Sequence, residues 1–314
     1  MKILTVKGII DIVDSNIVDA HVHIWATKPE SITTGYSIPE VNDLPTIKSC
    51  LEDFKKNGGG LVIDCTPHGC GRDGNMLYYI SDKTRLGIAC VTGFHRREYY
   101  PPGSEIWDLD TESAEAFFIQ EIKIGLKETL NKAKKIKAGI IKIPFTGSLT
   151  GVYKKLTDAA IRAAVETGFP VIVHTEQGLN VELFSDYLEE MGVKPQKVVL
   201  CHIDKRRDIA LHEKLASRGF YLEYDTFLRE KYQPEKYTYD LMISMIKSGF
   251  SNSLMIGSDI FENSMWKKVM LRPGYGGFFK KMEQFLESKF KDPEIIMNIL
   301  GGNAVRFLKI DINI

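Results

Sequence analysis

The sequence lacks a net charge, a membrane-length apolar run and a paired cysteine motif. Its 314 residues hold 41 Lys and Arg against 41 Asp and Glu, a formal net charge of +0. A neutral chain gives no reason to expect nucleic-acid or anionic-membrane binding. Lys7 and Asp11 interrupt the apolar start of the chain, which argues against a secretory signal peptide. The five cysteines form no CxxC pair, as expected of reduced thiols in a cytoplasmic protein.

The chain also lacks an obvious linker, because no Pro/Ser-rich tract, charge block or low-complexity segment divides it. Residues 1–314 are therefore expected to form one domain, which a hydrophobic content of 44% allows. What recurs is a short apolar run, then a polar turn, then a helix-like stretch.

Eight apolar runs recur along the chain. They are rich in β-branched residues and apolar on both faces, as strands of a helix-covered parallel sheet should be. The runs are 16–24, 60–66, 85–93, 138–144, 169–175, 197–204, 219–225 and 253–259. Helical patterns include 45–59, 111–137, 156–168 and 206–219. This alternation predicts an α/β fold, a (β/α)8 TIM barrel, with a doubly wound open sheet as the rival.

Polar residues cluster at the carboxyl ends of these runs. His21 and His23 end the first run, and residues two apart on a strand point to one face. Four further residues hold similar positions on other runs: Lys142, His174, His202 and Asp259. Any one of them alone is a weak signal, but a barrel gathers all these strand ends at one face. The set predicts a metal site at the C-terminal face of the barrel.

The ligand types suggest the number of ions. Neutral imidazoles and carboxylates suit zinc and similar divalent ions. Four histidines and one aspartate are too many ligands for one catalytic ion but fit two, and two close cations need a bridging anion. A neutral lysine amine can react with carbon dioxide to give a carbamate, and burial favours the neutral amine. Lys142, inside the apolar stretch 138–144, is thereby given a role.

The motifs DAHVHIW, IIKIP, VIVHT, LCHID and GSD resemble the metal-site motifs of the phosphotriesterase-like branch of the amidohydrolase superfamily. The segments VIDCTPHGCGRD, VTGFHRREYYPP and ILGGNAVRFL are also similar to family segments, so the resemblance covers nearly the whole chain. One departure is Val22, where many members have an acidic residue. Its side chain should point away from the ions, so the metal site is not put in doubt.

The resemblance implies a binuclear site. His21, His23 and Asp259 would hold the more buried ion, and His174 and His202 the more exposed one. Carbamylated Lys142 and a hydroxide would bridge the two ions. Asp259 would act in catalysis by taking a proton from the attacking hydroxide and passing it to the leaving group. Zinc is the expected metal, with manganese, cobalt or iron as alternatives, and the resemblance also suggests a homodimer.

Substrate choice in barrels is set by the loops after the strands. The spacing in RPGYGG is similar to that in a bacterial subgroup acting on phosphorylated sugar lactones, which implies that Arg272 and Tyr275 bind a distal phosphate. Tyr99 and Arg229 are further candidates for substrate contact. The expected function is metal-dependent hydrolysis of a phosphorylated five-carbon sugar lactone. The alternatives are hydrolysis of neutral lactones, organophosphate triesters or amides, and a metal-free binding barrel.

The segment GCGRDG, residues 69–74, matches the G-x-G-x-x-G pattern of dinucleotide-binding proteins. Pro67 and His68 separate it from the preceding run, and no clear acidic residue ends the next run to hold a ribose. We interpret it as a turn in which Arg72 and Asp73 support the loop. His68 and His212 are expected to be loop and helix-surface residues.

Overall fold

The computed structural model describes residues 1–13, 16–28 and 40–310. All eight predicted runs form parallel strands of one sheet. They are β3 (Ile17–Val22), β4 (Gly59–Asp64), β5 (Gly87–Gly93), β6 (Ile140–Phe145), β7 (Val171–Thr175), β8 (Val198–Cys201), β9 (Tyr221–Tyr224) and β10 (Leu254–Ile256). An antiparallel hairpin, β1 (Lys2–Thr5) and β2 (Gly8–Asp11), precedes them.

The strands follow one another in chain order from β3 to β10, with no reversal of order. Backbone hydrogen bonds just beyond the strand ends join the first and last strands. The Asp259 amide donates to the His21 carbonyl at 2.8 Å, and the His23 amide donates to the Ile260 carbonyl at 2.8 Å. The sheet therefore curls into a barrel, as predicted, and the open doubly wound sheet is excluded.

Helices alternate with the strands over the part of the chain that is described. They are α1 (Leu44–Lys56), α2 (Gly74–Thr84), α3 (Thr111–Lys123), α4 (Gly151–Thr167), α5 (Val181–Glu190), α6 (Ile209–Ser217), α7 (Thr238–Lys247), α8 (Asn263–Leu271), α9 (Tyr275–Lys289), α10 (Pro293–Met297) and α11 (Asn303–Leu308). In the described ranges, no helix combines the length and the hydropathy of a membrane span.

The helix predicted over 111–137 is wrong beyond Lys123, where α3 ends. The amides of Ile124 and Gly125 both donate to the Gln120 carbonyl, which closes the helix. The chain then makes a short 3-10 turn, Lys127–Thr129. The apolar face of α3 packs inward, with Phe118 buried in the main core.

The expected homodimer stays a prediction.

The N-terminal hairpin was not predicted, and it packs beneath the barrel. The Val6 amide, in its turn, donates to the Ile88 carbonyl near the start of β5 at 2.9 Å. Ile3 and Ile12 join the buried cluster that fills the barrel interior, together with Val305 and Leu308 from α11. These contacts fill the amino-terminal end of the barrel with apolar side chains and leave its carboxyl end for polar ones.

Arg72 supports the loop after β4, as the sequence indicates. Its buried guanidinium donates to Glu121 at 2.5 Å, to Glu128 at 2.8 Å and to the Val91 carbonyl at 2.7 Å. Asp73 accepts from the first amides of α2 as its N-cap. The glycine-rich segment therefore anchors a loop at the barrel mouth.

The expectation that His212 lies on a helix surface is wrong. Its ring is buried, with Nδ1 at 2.6 Å from the Tyr224 hydroxyl and Nε2 at 2.9 Å from the Arg206 carbonyl. This histidine packs α6 onto the barrel, so it is a satisfied core residue.

Replacing Arg72 with Met should lower the free energy of unfolding by about 3–5 kcal/mol, because it leaves the buried Glu121 carboxylate without its counter-charge. Urea denaturation measures the loss. Lys123→Met is the control, since it removes an exposed pair with Glu166 and should cost about 1 kcal/mol or less. Equal, small losses in both variants would contradict the anchoring role of Arg72.

Candidate active site

A cavity of about 240 Å³ opens at the carboxyl ends of the barrel strands. Five of the six predicted metal ligands line it: His21, His23, His174, His202 and Asp259. The sixth, Lys142, is fully buried, and its Nζ donates to the Cys65 carbonyl at 2.8 Å. Cys65 immediately precedes Thr66, which also lines the cavity. The structure thus brings the predicted ligands to one place.

The four predicted histidines form a continuous series of rings. The centroid of His21 lies 5.7 Å from that of His23 and 4.9 Å from that of His202. The His202 ring lies 4.7 Å from His174. His95, which was not predicted as a ligand, extends the series at 4.9 Å from His174.

The carboxylate of Asp259 completes the most compact part of this group. One potential ligand atom from each of His21, His202 and Asp259 lies within 4.8 Å of the others. The His21 Nε2 and the Asp259 Oδ1 are 4.0 Å apart. Nitrogen and carboxylate donors at this spacing suit a divalent ion.

Three side chains that sequence reasoning missed hold the ligand rings. Glu223 lies 3.1 Å from Nδ1 of His21, and Asp225 lies 2.5 Å from Nδ1 of His202. The Thr66 hydroxyl lies 2.7 Å from Nδ1 of His23. A signal was present in the seventh run: YLEYD puts two carboxylates two residues apart, which is the same spacing as the two histidines of HVH.

The backbone places two of the predicted ligands in the left-handed region just after their strands. His202 has φ of 60° and Asp259 has φ of 44°. Such conformations are costly for residues other than glycine and persist where the surroundings impose them. Here the Asp225 carboxylate accepts from the His202 amide at 3.1 Å, and the His21 carbonyl accepts from the Asp259 amide. Hydrogen bonds between strands therefore fix the direction of both side chains.

Burial keeps most of these imidazoles neutral. It lowers the pKa of His23, His95 and His202 well below the usual value and lowers the pKa of His174 to about 4. Burial acts the same way on His21, but the adjacent Glu223 carboxylate helps to outweigh it and raises the pKa of His21. Neutral imidazoles with free lone pairs are the form that binds metal ions.

The residues present fit a metal centre. The Nε2 atom of His174 is buried without a hydrogen-bond partner among the described residues, although buried polar atoms are normally paired. Its nearest carboxylate oxygen, on Glu176, is 3.7 Å away. An unpaired ring nitrogen beside neutral histidines and an aspartate is what a ligand set for divalent cations provides.

Lys142 occupies its place because the neighbouring strand has a glycine. Gly93 has φ of 91°, and a Cβ built there would lie 2.1 Å from the Lys142 carbonyl oxygen. The backbones of β5 and β6 can therefore approach closely at this level. The Phe94 amide donates to the same carbonyl at 3.1 Å.

Two of the four predicted substrate residues lie at the cavity. Tyr99 lines it and packs against His95 with ring centroids 4.6 Å apart. Arg229 also lines it, but its guanidinium donates to the Asp259 carboxylate and, at 2.8 Å, to the Asp259 carbonyl. In this arrangement Arg229 holds a predicted ligand.

The structure does not bring the predicted phosphate-binding residues Arg272 and Tyr275 to the cavity. Tyr275 is fully buried at the start of α9, where it packs against Phe54 and donates its hydroxyl to Asp19 at 2.5 Å. Arg272 is exposed and does not line the cavity. The spacing of residues within RPGYGG does not reveal that Tyr275 begins α9, the helix that packs on α1.

Residues 1–284 match the model of the phosphotriesterase family. The chain belongs to the phosphotriesterase family. Its relatives include a phospho-furanose lactonase of Mycoplasmopsis synoviae, which is 26% identical over 323 residues that cover 98% of this chain and 91% of that protein.

Two solved structures share the fold. An amidohydrolase from Mycoplasma synoviae superposes with a TM-score of 0.86 at 23% identity, covering 99% of this chain and 92% of that one. A lactonase from Listeria monocytogenes has a TM-score of 0.86 at 20% identity, covering 99% of this chain and 100% of that one. The family consists of binuclear metal hydrolases, so this chain is a hydrolase with a site suited to metal ions.

Zinc should stabilise the chelator-stripped protein, because an ion that binds only the folded state adds to its stability. At free zinc 100-fold above the dissociation constant the gain is about 2.7 kcal/mol, seen as a rise in melting temperature that depends on zinc concentration. The double variant His21→Asn/His23→Asn should lose this rise. His68→Gln, a control outside the cavity lining, should keep it. A rise of equal size in all three proteins would contradict the assigned ligands.

Proposed function

We propose that this hydrolase opens the lactone ring of a phosphorylated five-carbon sugar. The observation that carries the proposal is the set of positively charged side chains that line the cavity beside the predicted ligands. Four cationic side chains line it: Arg96, Lys205, Arg229 and Lys231. Arg96 pairs with Glu176 and Arg229 with Asp259. The two lysines make no ion pair among the described residues, so they are available to an anionic substrate.

The two lysines lie around one aromatic ring. The Nζ of Lys231 is 4.9 Å and the Nζ of Lys205 is 5.6 Å from the ring centroid of Tyr232. Arg207 donates to the Tyr232 carbonyl at 3.2 Å and holds this loop. A phosphate needs convergent cations, and these lysines at the cavity supply them in place of Arg272 and Tyr275. The name of the phospho-furanose lactonase relative supports the same substrate class.

In the proposed metal centre, His21, His23 and Asp259 would hold one ion, and His174 and His202 would hold the other. Lys142, as its carbamate, would add an anionic ligand to this set. Zinc is the proposed metal. When bound, such a pair polarises the lactone carbonyl and ionises a water molecule near neutral pH.

The chain's own residues position the substrate and move protons. Asp259 takes the proton of the attacking hydroxide and gives it to the ring oxygen when the single bond between the carbonyl carbon and that ring oxygen breaks. Arg229 holds the Asp259 carboxylate in one orientation through the contacts described above. Lys205 and Lys231 bind the phosphate, which keeps the lactone at the ligand cluster.

The carbamate proposal follows from the surroundings of Lys142. An isolated ammonium is costly to bury, and Nζ has one hydrogen bond, to the Cys65 carbonyl. Carbon dioxide would form a bond to Nζ with loss of a proton, converting an amine into an anionic ligand. Strand β6 is held on both sides by β5 and β7, so the group would be rigidly placed.

Lys142→Ala should lose bound metal and hydrolytic activity together, because it removes the bridging anion. Metal analysis of the purified protein and a pH-indicator assay measure the two. Short carboxylic acids such as acetate or propionate should restore part of both. Full activity of the variant without added carboxylate would contradict the bridging role.

The double variant Lys205→Gln/Lys231→Gln should raise the KM for a 5-phosphorylated lactone at least 10-fold, with little effect on an unphosphorylated one. A lost charged hydrogen bond is worth about 1.5–3 kcal/mol, and tenfold is about 1.4 kcal/mol. Steady-state kinetics with both substrates measure the difference. Arg272→Gln is the matched control and should change neither KM. Equal effects on the two substrates would contradict a phosphate site at Lys205 and Lys231. A wild-type preference for the unphosphorylated lactone would refute the proposed substrate class.

A further inference from the structure

We propose that Glu223 is a positioning residue that orients His21 and directs its Nε2 to the metal centre. The inference rests on the two-metal site of the proposed function and does not depend on the substrate. Glu223 lies on β9, which contributes no predicted ligand, and His21 lies on β3. The contact between Nδ1 and Oε2 at 3.1 Å spans 202 residues of sequence.

The contact is buried on both sides. The His21 side chain is 1% exposed and the Glu223 side chain 0%, so the contact is shielded from bulk solvent. An ionised carboxylate only accepts hydrogen bonds, which requires a proton on Nδ1 of His21. The lone pair of a metal-binding ring is then on Nε2, the atom that lies 4.0 Å from Asp259 Oδ1. The carboxylate thus selects which nitrogen faces the cavity.

The absence of a side chain at position 257 leaves room for this carboxylate. A Cβ built on Gly257 would lie 2.2 Å from Oε1 of Glu223 and 2.8 Å from Cβ of His21. Gly257 has no left-handed backbone that would itself require glycine. The missing side chain therefore serves the fit of Glu223 against His21.

The residue that follows β9 acts on a second predicted ligand. Asp225, two residues after Glu223, contacts Nδ1 of His202 at 2.5 Å and also accepts from the His202 amide. Strand β9 and the residue that follows it therefore hold one histidine of each proposed subsite. Glu223 is the cleaner of the two to test, because no hydrogen bond links it to the His21 backbone.

Glu223→Gln should weaken zinc binding at one of the two subsites 10- to 100-fold and leave the other unchanged. The expected effect is selective because His174 and His202 do not contact Glu223. Competition with a chromophoric chelator on metal-stripped protein measures both affinities without any substrate. Glu121→Gln is the matched control: it neutralises an equally buried glutamate in the Arg72 network and should leave both zinc affinities within threefold of wild type.

A spectroscopic measurement keeps the proposal falsifiable if the variant does not fold. In zinc-loaded wild type with 15N-labelled histidine, the His21 ring should carry a slowly exchanging proton on Nδ1. A His21 proton on Nε2, or zinc affinities unchanged in Glu223→Gln, would overturn the positioning role. Wild type that binds no zinc would overturn this inference and the proposed metal centre together. Two zinc ions bound by wild type without lactonase activity, with the selective loss in Glu223→Gln, would support the inference and refute only the substrate.

Discussion

A fully buried lysine amine is the constraint around which the candidate site is arranged. Lys142 lies on β6, and its Nζ makes one hydrogen bond, to the Cys65 carbonyl. Below it the interior is filled by small and β-branched side chains such as Val91 and Ile140, which offer no partner to an ammonium. The imidazoles and Asp259 converge at the strand ends beyond it. The amine therefore lies at the boundary between the apolar interior and the predicted metal ligands.

The predicted ligands are held by contacts between strands that are distant in sequence. Asp19, at the centre of β3, accepts from the amides of His21 and Ser258, each at 3.0 Å. It therefore ties the first strand of the barrel to the segment that follows the last strand, β10. Asp64 accepts from the Ile24 amide at 2.7 Å and the Thr66 amide at 3.0 Å. With Glu223 and Asp225, these carboxylates form a buried layer around the site. Precise placement of catalytic groups generally requires such support.

Much of the fold could be predicted because a parallel barrel makes local demands on sequence. Strands buried on both faces need continuous apolar runs, and their ends were marked by histidines, Lys142 and Asp259. What could not be predicted depends on distant partners. The hairpin before β3 is stabilised by its contacts under the barrel, and α3 ends early where the chain turns toward Arg72. Tyr275 pairs with Asp19, 256 residues away, which a short spacing pattern cannot reveal.

The most direct test of the two-metal centre is anomalous X-ray scattering, at the zinc edge, from crystals of the zinc-loaded protein. The account predicts two anomalous peaks in the cavity, one beside His21, His23 and Asp259 and the other beside His174 and His202. It also predicts electron density for a carbamate extending from Lys142 Nζ between them. A single peak, or none, with Nζ still on the Cys65 carbonyl would contradict the account.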